Sequence, residues 1–238
     1  MALAASSAHS RLVDEVCRTL EEQILSGELR PGDRLTVVPL AQRFGTSQST
    51  VREALLTLER HGLVRARPRH GVTVVRLTER ESSELLRMRA LVEGYAATLG
   101  AANITDGLLG DMERLIIAMR KCTLPRYLPR LIQLDQEYHR HIAELARSNS
   151  LIEVWSGMSG RIGALIMRSV ETNQLTLVDV ERLHQEVLDA LATRNPVICR
   201  NAVITHYLPD DELLELQLQA IQSAVNPLVP AEMLVEAV

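Results

Sequence analysis

Four side chains in the C-terminal half have the types and spacing to hold a metal ion. Asp135 and His139 are four residues apart, on a helical face they share with Leu128, Leu131 and Ile142. His184 lies in a stripe with Val180, Val187 and Leu191, and His206 in one with Ala202 and Val203. A lone histidine in an apolar stripe is most often a core residue whose nitrogens are satisfied. Three of them with an inward carboxylate, from three separate helices, are harder to absorb. Burying four ionisable groups carries a heavy desolvation penalty unless they are paired or bound to metal. Imidazole and carboxylate donors suit a divalent transition metal, zinc first, with nickel, manganese or iron as alternatives. Such an ion could bind a small anion, act as the signal itself, brace the helices, or do catalysis as in a metal-dependent hydrolase. The absence of HExxH spacing and of an evident general base weighs against the hydrolase.

A second group near the N-terminus suits a different chemistry. Ser47, Gln48, Ser49, Thr50 and Arg52 open a helix whose far side carries Val51, Leu55 and Leu58. Gln48 and Arg52 are one turn apart and share a face. Glutamine can pair with adenine, arginine with guanine or phosphate, and hydroxyls with phosphate oxygens. Taken alone, this is also what an ordinary capped surface helix looks like. Downstream, Arg67-Pro68-Arg69-His70-Gly71 forms a basic tip that could reach a neighbouring minor groove.

The elements that must position these groups follow from periodicity. Leu12, Val16, Leu20 and Ile24 mark a first helix that stops at Gly27, and Pro31-Gly32 makes a turn. A short helix over 37–44 accommodates Pro39 in its first turn, Gly45 breaks it, and Ser47 caps the next helix. His61-Gly62 ends that helix, and 63–64 and 72–75 read as two short strands around the basic tip. Helix, helix, turn, helix and hairpin together make a winged helix-turn-helix. Beyond it the spacing predicts helices over 79–101, 105–121, 129–147, 150–171, 179–194 and 196–208. A further short helix over 210–224 and a tail over 225–238 complete the reading. The expected fold is mainly α: residues 1–77 as the winged helix-turn-helix, 78–224 as an antiparallel all-α bundle, and 225–238 as the tail.

Composition agrees. Hydrophobic residues make up 46% of the chain but aromatics only 3%, so the core rests on aliphatic side chains and favours helix-on-helix packing. The net charge of −4 hides an asymmetry: residues 1–78 hold 11 Arg, no Lys and 8 Asp or Glu, giving +3, while the remainder carries −7. A basic stripe on a slightly acidic chain is an electrostatic footprint for phosphate. No apolar run reaches the ~20 residues that span a bilayer, and the opening residues do not read as a secretion signal. Cys17, Cys122 and Cys199 lack CxxC spacing, so a cytoplasmic location without disulfides is expected.

The order of residues from Ile24 to Val75 closely resembles the DNA-binding domain of the GntR family. SGELRPGDRL, LAQRFGTS, VREALLTLERHGLV and GVTVV carry the likeness. The resemblance implies recognition-helix contacts by Ser47, Ser49, Thr50 and Arg52, and wing contacts by His70 and Gly71. Two departures concern specificity. Gln48 stands where the family commonly has arginine, and Val37, Val38 and Pro39 where it has acidic residues or arginine. The operator sequence therefore does not transfer.

RMRALVEGYAATLGAA, LDQEYHRHIAELARSNS, LHQEVLDAL and His206 are similar to the FCD-type effector domain of the FadR subfamily. That resemblance implies a metal held by Asp135, His139, His184 and His206, and a small carboxylate effector bound beside basic side chains. Arg89 matches the commonly basic position of the first sensor helix. Arg161, on a face with Val154, Met158 and Leu165, is a second candidate to face the effector. His141 points from another face and is excluded. The expected protein is thus a transcriptional regulator and not an enzyme, most simply a repressor. One recognition helix per chain offers too little contact for specific affinity, so a homodimer on a pseudo-palindromic double-stranded operator is expected.

Overall fold

The computed structural model describes residues 2–67, 71–124, 126–172 and 176–208. The tip residues Arg69 and His70, the helix expected over 210–224 and the tail over 225–238 lie outside the described residues.

The N-terminal module contains α1 (Ala2–Leu25), β1 (Arg34–Leu35), α2 (Val37–Arg43), α3 (Gln48–Arg60), β2 (Val64–Arg67) and β3 (Gly71–Val74). The three strands form one antiparallel sheet in the order β1-β3-β2, with Arg34 opposite Thr73 and Arg67 opposite Gly71. Val16, Leu20 and Ile24 of α1 pack with Val51, Leu55 and Leu58 of α3. Leu12, expected in the same stripe, is instead 43% exposed. β1 has no sequence signature of its own, since two residues become a strand only by pairing with Val72 and Thr73.

Six further α-helices follow: α4 (Glu79–Gly100), α5 (Asp106–Arg120), α6 (Leu128–Glu144), α7 (Asn149–Glu171), α8 (Leu177–Ala192) and α9 (Pro196–Tyr207). Their starts are written in the sequence. Thr78 with Glu81 and Thr176 with Asp179 make reciprocal capping boxes, Thr105 and Ser148 cap α5 and α7, and Asn195 with Pro196 opens α9. α4 packs along α9, α5 against α6 and α8, and α6 against α7 and α4. One continuous buried cluster joins the two halves, running from Leu20 and Leu58 through Leu25 to Ile132, Met112 and Leu191.

The seam between the halves is built on α7. Gly160, in mid-helix, donates its backbone N–H to the carbonyl of His61 at 2.9 Å, in the turn that ends α3. A Cβ at Gly160 would collide with that carbonyl oxygen and lie 2.6 Å from Leu63 Cγ. Opposite it, Gly62 adopts φ +76°, a left-handed conformation that suits glycine, and packs on Gly157 and Arg161. The C-terminal end of α3 is therefore seated on the α7 backbone.

Candidate metal centre and DNA-reading face

The four expected metal ligands converge. Asp135 and His139 come from α6, His184 from α8 and His206 from α9. The ligand atoms of the three histidines all lie within 4.8 Å of one another. Asp135 Oδ1 is 3.2 Å from His184 Nε2 and 3.8 Å from His139 Nε2. Asp135, His139 and His184 are buried, and His206 is partly buried.

Each imidazole uses its other nitrogen for an outward bond. His184 Nδ1 is 2.7 Å from the Val180 carbonyl, and His206 Nδ1 is 3.4 Å from that of Leu183. His139 Nδ1 is 2.8 Å from Glu93 Oε2. Acceptors at Nδ1 fix the proton there and leave each Nε2 lone pair directed inward, the tautomer a metal requires. Two buried polar atoms inside the group, His184 Nε2 and Asp135 Oδ2, make no hydrogen bond. An inward-facing set of three bare nitrogens and a carboxylate, with two orphaned atoms, fits a divalent transition ion. Burial alone would raise the Asp135 carboxyl, but His139 and His184 outweigh it and hold it at about 2. Burial and the neighbouring imidazoles push His206 well below its ordinary value, so it stays neutral and able to donate its lone pair.

Behind His139 lies a network that sequence reasoning missed. Glu93 is fully buried on α4; its Oε1 accepts from Arg89 Nε and from Trp155 Nε1 at 2.7 Å. Its Oε2 accepts from the Tyr207 hydroxyl at 3.0 Å as well as from His139. Burial opposes its ionisation, but Arg89 and His139 hold the carboxyl at about 2. The only signal for Glu93 was its place four residues after Arg89, a spacing shared by many exposed helix pairs.

The same network corrects the reading of Arg89. A cavity of about 440 Å³ opens beside the four ligands, and Glu79, Ser82 and Leu86 of α4 line it. Arg89 continues that face of α4 but does not line the cavity. Glu93 draws its guanidinium aside, the Trp155 ring covers it at 4.3 Å, and the side chain is 0% exposed. Its two terminal nitrogens have no hydrogen-bond acceptor. Arg161 is also misplaced by the sequence. It shares a face with the cavity-lining Leu165 and Arg168 but sits a turn nearer the seam, where it donates to the Gly157 carbonyl and packs on Gly62. The arginine that does line the cavity is Arg168, half exposed at its rim and 3.9 Å from Glu79.

At the other end of the molecule, Ser47 caps α3 by accepting from the Thr50 N–H, and Gln48, Ser49 and Arg52 are exposed. Arg67 is exposed on β2, Gly71 is exposed at φ +77°, and the Arg34 guanidinium packs against Gly71 as an unforeseen third basic group there. Thr50 departs from expectation. It is 2% exposed, with its hydroxyl 2.8 Å from Ser47 Oγ, so it braces the cap and does not face solvent.

Comparison with known proteins places both halves. Residues 12–74 match the family described as bacterial regulatory proteins, gntR family, and residues 84–208, more than half of the chain, match the FCD domain. This chain belongs to the GntR family, with an FCD domain at its C-terminal end. Among relatives of this GntR regulator, the gluconate operon transcriptional repressor of Bacillus licheniformis is 26% identical over 74% of each chain. The HTH-type transcriptional regulator McbR of Escherichia coli is 26% identical over 82% of this chain and 89% of its own. A GntR regulator structure from Rhodococcus sp. RHA1 superposes with a TM-score of 0.68 at 23% identity, covering 89% of this chain and 98% of that one, and so shares the fold. Family and relatives are transcriptional regulators, which removes the hydrolase reading. No helix among the described residues is long and apolar enough to cross a membrane.

Proposed function

We propose that this GntR regulator represses transcription by binding operator DNA as a homodimer, with an affinity set by a carboxylate effector held on a divalent metal. Residues 1–77 are the DNA-binding domain and 78–224 the sensor. Ser47, Gln48, Ser49 and Arg52 meet the major groove, and Arg67, Arg69, His70 and Gly71 the wing's neighbouring groove; Thr50 acts through Ser47. Asp135, His139, His184 and His206 hold the metal, zinc by its fit to histidine and carboxylate donors. Bound there, the ion supplies the positive charge that captures an anion. The repressor sign is drawn from a relative named as an operon repressor.

The observation that carries the reading is the convergence of three Nε2 atoms whose partner nitrogens all face outward. Helix α7 supports the coupling, because it lines the cavity with Ile162 and Leu165 and seats the end of α3 at Gly160. The effector biases an equilibrium the DNA-binding domain already has, by no more than its differential affinity for the two states, typically about 1–3 kcal/mol. The test is elemental analysis of untagged protein beside operator titrations with and without chelator. Wild type should carry about one metal per chain, and His184→Ala should lose it while still binding operator. A metal-free wild type with an unchanged response to its effector would falsify the assignment.

A further inference from the structure

A second cavity lies where the two halves of the molecule meet, lined by none of the four metal-ligand candidates. Its volume is about 720 Å³, within the range of roughly 300 to 1,000 Å³ found for small-molecule sites. One side comes from the N-terminal module, as the turn that follows α1 and the Val75–Leu77 segment that follows β3. The other side is α7, through Ala164, Leu165, Met167 and Arg168. Three arginines line the cleft, one from each segment: Arg30 from the turn, Arg76 from the strand end and Arg168 from α7. No lining residue among those described is acidic. We propose that this cleft binds a phosphate monoester with an apolar body, as a ligand site separate from the metal centre.

Local contacts hold the positive charge in place and leave it uncancelled. Arg76 donates from Nε and Nη2 to the Pro31 carbonyl at 3.3 and 3.0 Å. It also lies over Gly32, where a Cβ would sit 3.5 Å from the guanidinium. These contacts fix one edge of the guanidinium and leave Nη1 over. The acids near Arg30 are engaged elsewhere: Asp33 accepts from the Arg30 backbone N–H at 2.8 Å, and Glu28 meets Gln23 and Arg43. Arg168 is 3.9 Å from Glu79, which is 94% exposed, so water screens that pair. A single sign of charge between apolar walls concentrates counter-ions. Guanidinium forks match phosphate oxygens, and a phosphate monoester carries nearly two negative charges near neutral pH. Forks from three separate elements favour a tetrahedral dianion, whose oxygens point in different directions, over a planar carboxylate. The body of the ligand then rests on Val75, Leu77 and Met167. Leu165 and Arg168 also line the cavity beside the metal ligands, so the two sites share α7.

The test is isothermal titration of phenyl phosphate, inorganic phosphate and benzoate into the full chain at constant ionic strength. Phenyl phosphate should bind about fivefold or more tightly than inorganic phosphate, which lacks the ring, and than benzoate, which lacks the second charge. Arg30→Gln and Arg168→Gln should each weaken it about tenfold, the worth of one charge-assisted hydrogen bond. Both side chains are exposed, so urea unfolding should shift little and loss of binding would not reflect loss of fold. Ala164→Leu narrows the cleft and should lower the affinity for phenyl phosphate more than that for inorganic phosphate. Arg52→Gln on α3, and addition of phenanthroline as a neutral chelator, should leave the titration as it was. Loss of binding with either would assign the anion to the DNA-reading face or to the metal centre and overturn the proposal. Absence of phenyl phosphate binding, benzoate binding as tightly, or an affinity indifferent to Arg30→Gln and Arg168→Gln would overturn it equally.

Discussion

The exposed face of α3 and the candidate metal centre each depend on a handful of polar side chains, yet they use them in opposite surroundings. On α3 the working groups are short, exposed and nearly independent: Ser49 bonds only its neighbour Ser47, and Gln48 and Arg52 face solvent. Around His139 the polar groups are buried or partly buried and tied to one another, with Glu93 alone accepting from Arg89, Trp155, Tyr207 and His139. Exposed groups can be exchanged singly, at small and additive expense. Buried networks respond as a unit, because removing one member strands the others without solvent.

The sharpest way to break this comparison is Glu93→Ala. It leaves Arg89 buried without a counter-charge and His139 Nδ1 without its carboxylate acceptor, so it should destabilise the protein by about 3–5 kcal/mol in urea unfolding. Glu93→Gln keeps the shape and part of the hydrogen bonding and should lose less. Equal and small losses for both would mean that the network is not a unit.

Gly160→Ala tests the seam that joins the regions. The added methyl collides with the His61 carbonyl, and overpacking of this kind costs about 1–3 kcal/mol. Zinc affinity should be retained, read through the single tryptophan, Trp155, which bonds Glu93 beside the centre. The effect of the carboxylate effector on operator affinity should fall away. A folded variant with full effector response would show that the signal bypasses α7.

Arg52→Ala should weaken operator binding by about 1–3 kcal/mol. Being exposed, it should shift unfolding by no more than ~0.5 kcal/mol. Unchanged affinity in a gel-shift titration would move the base-reading role elsewhere on the helix.

The smallest effects separate two neighbours that the sequence treated alike. Thr50→Val removes a buried hydroxyl partner of Ser47 and should reduce stability by about 1 kcal/mol, with a lesser effect on DNA. Ser49→Ala should do the reverse. If both variants act only on operator binding, Thr50 reaches DNA despite its burial.

Much of this architecture was legible because it is local. Caps at Ser47, Thr78, Thr105, Ser148, Thr176 and Asn195 and the 3.6-residue stripes mark helices whose ends agree with expectation within a few residues. The inward positions of Asp135, His139 and His184 follow from the same periodicity, since each shares a stripe with aliphatic residues and a helix buries its stripe. The chain by itself thus determined the fold class and which polar side chains share the two candidate faces. Only the tertiary structure decided which polar groups meet. Periodicity reports which way a side chain points, not how far its helix slides along a neighbour or what waits on the other side. Arg89 points where expected, but Glu93 and Trp155 close around it; Arg161 shares a face with the cavity-lining Leu165 but sits a turn nearer the seam and ends against Gly62. Thr50 differs from Ser49 by one residue, a 100° turn that carries its hydroxyl from solvent into the packed side of α3.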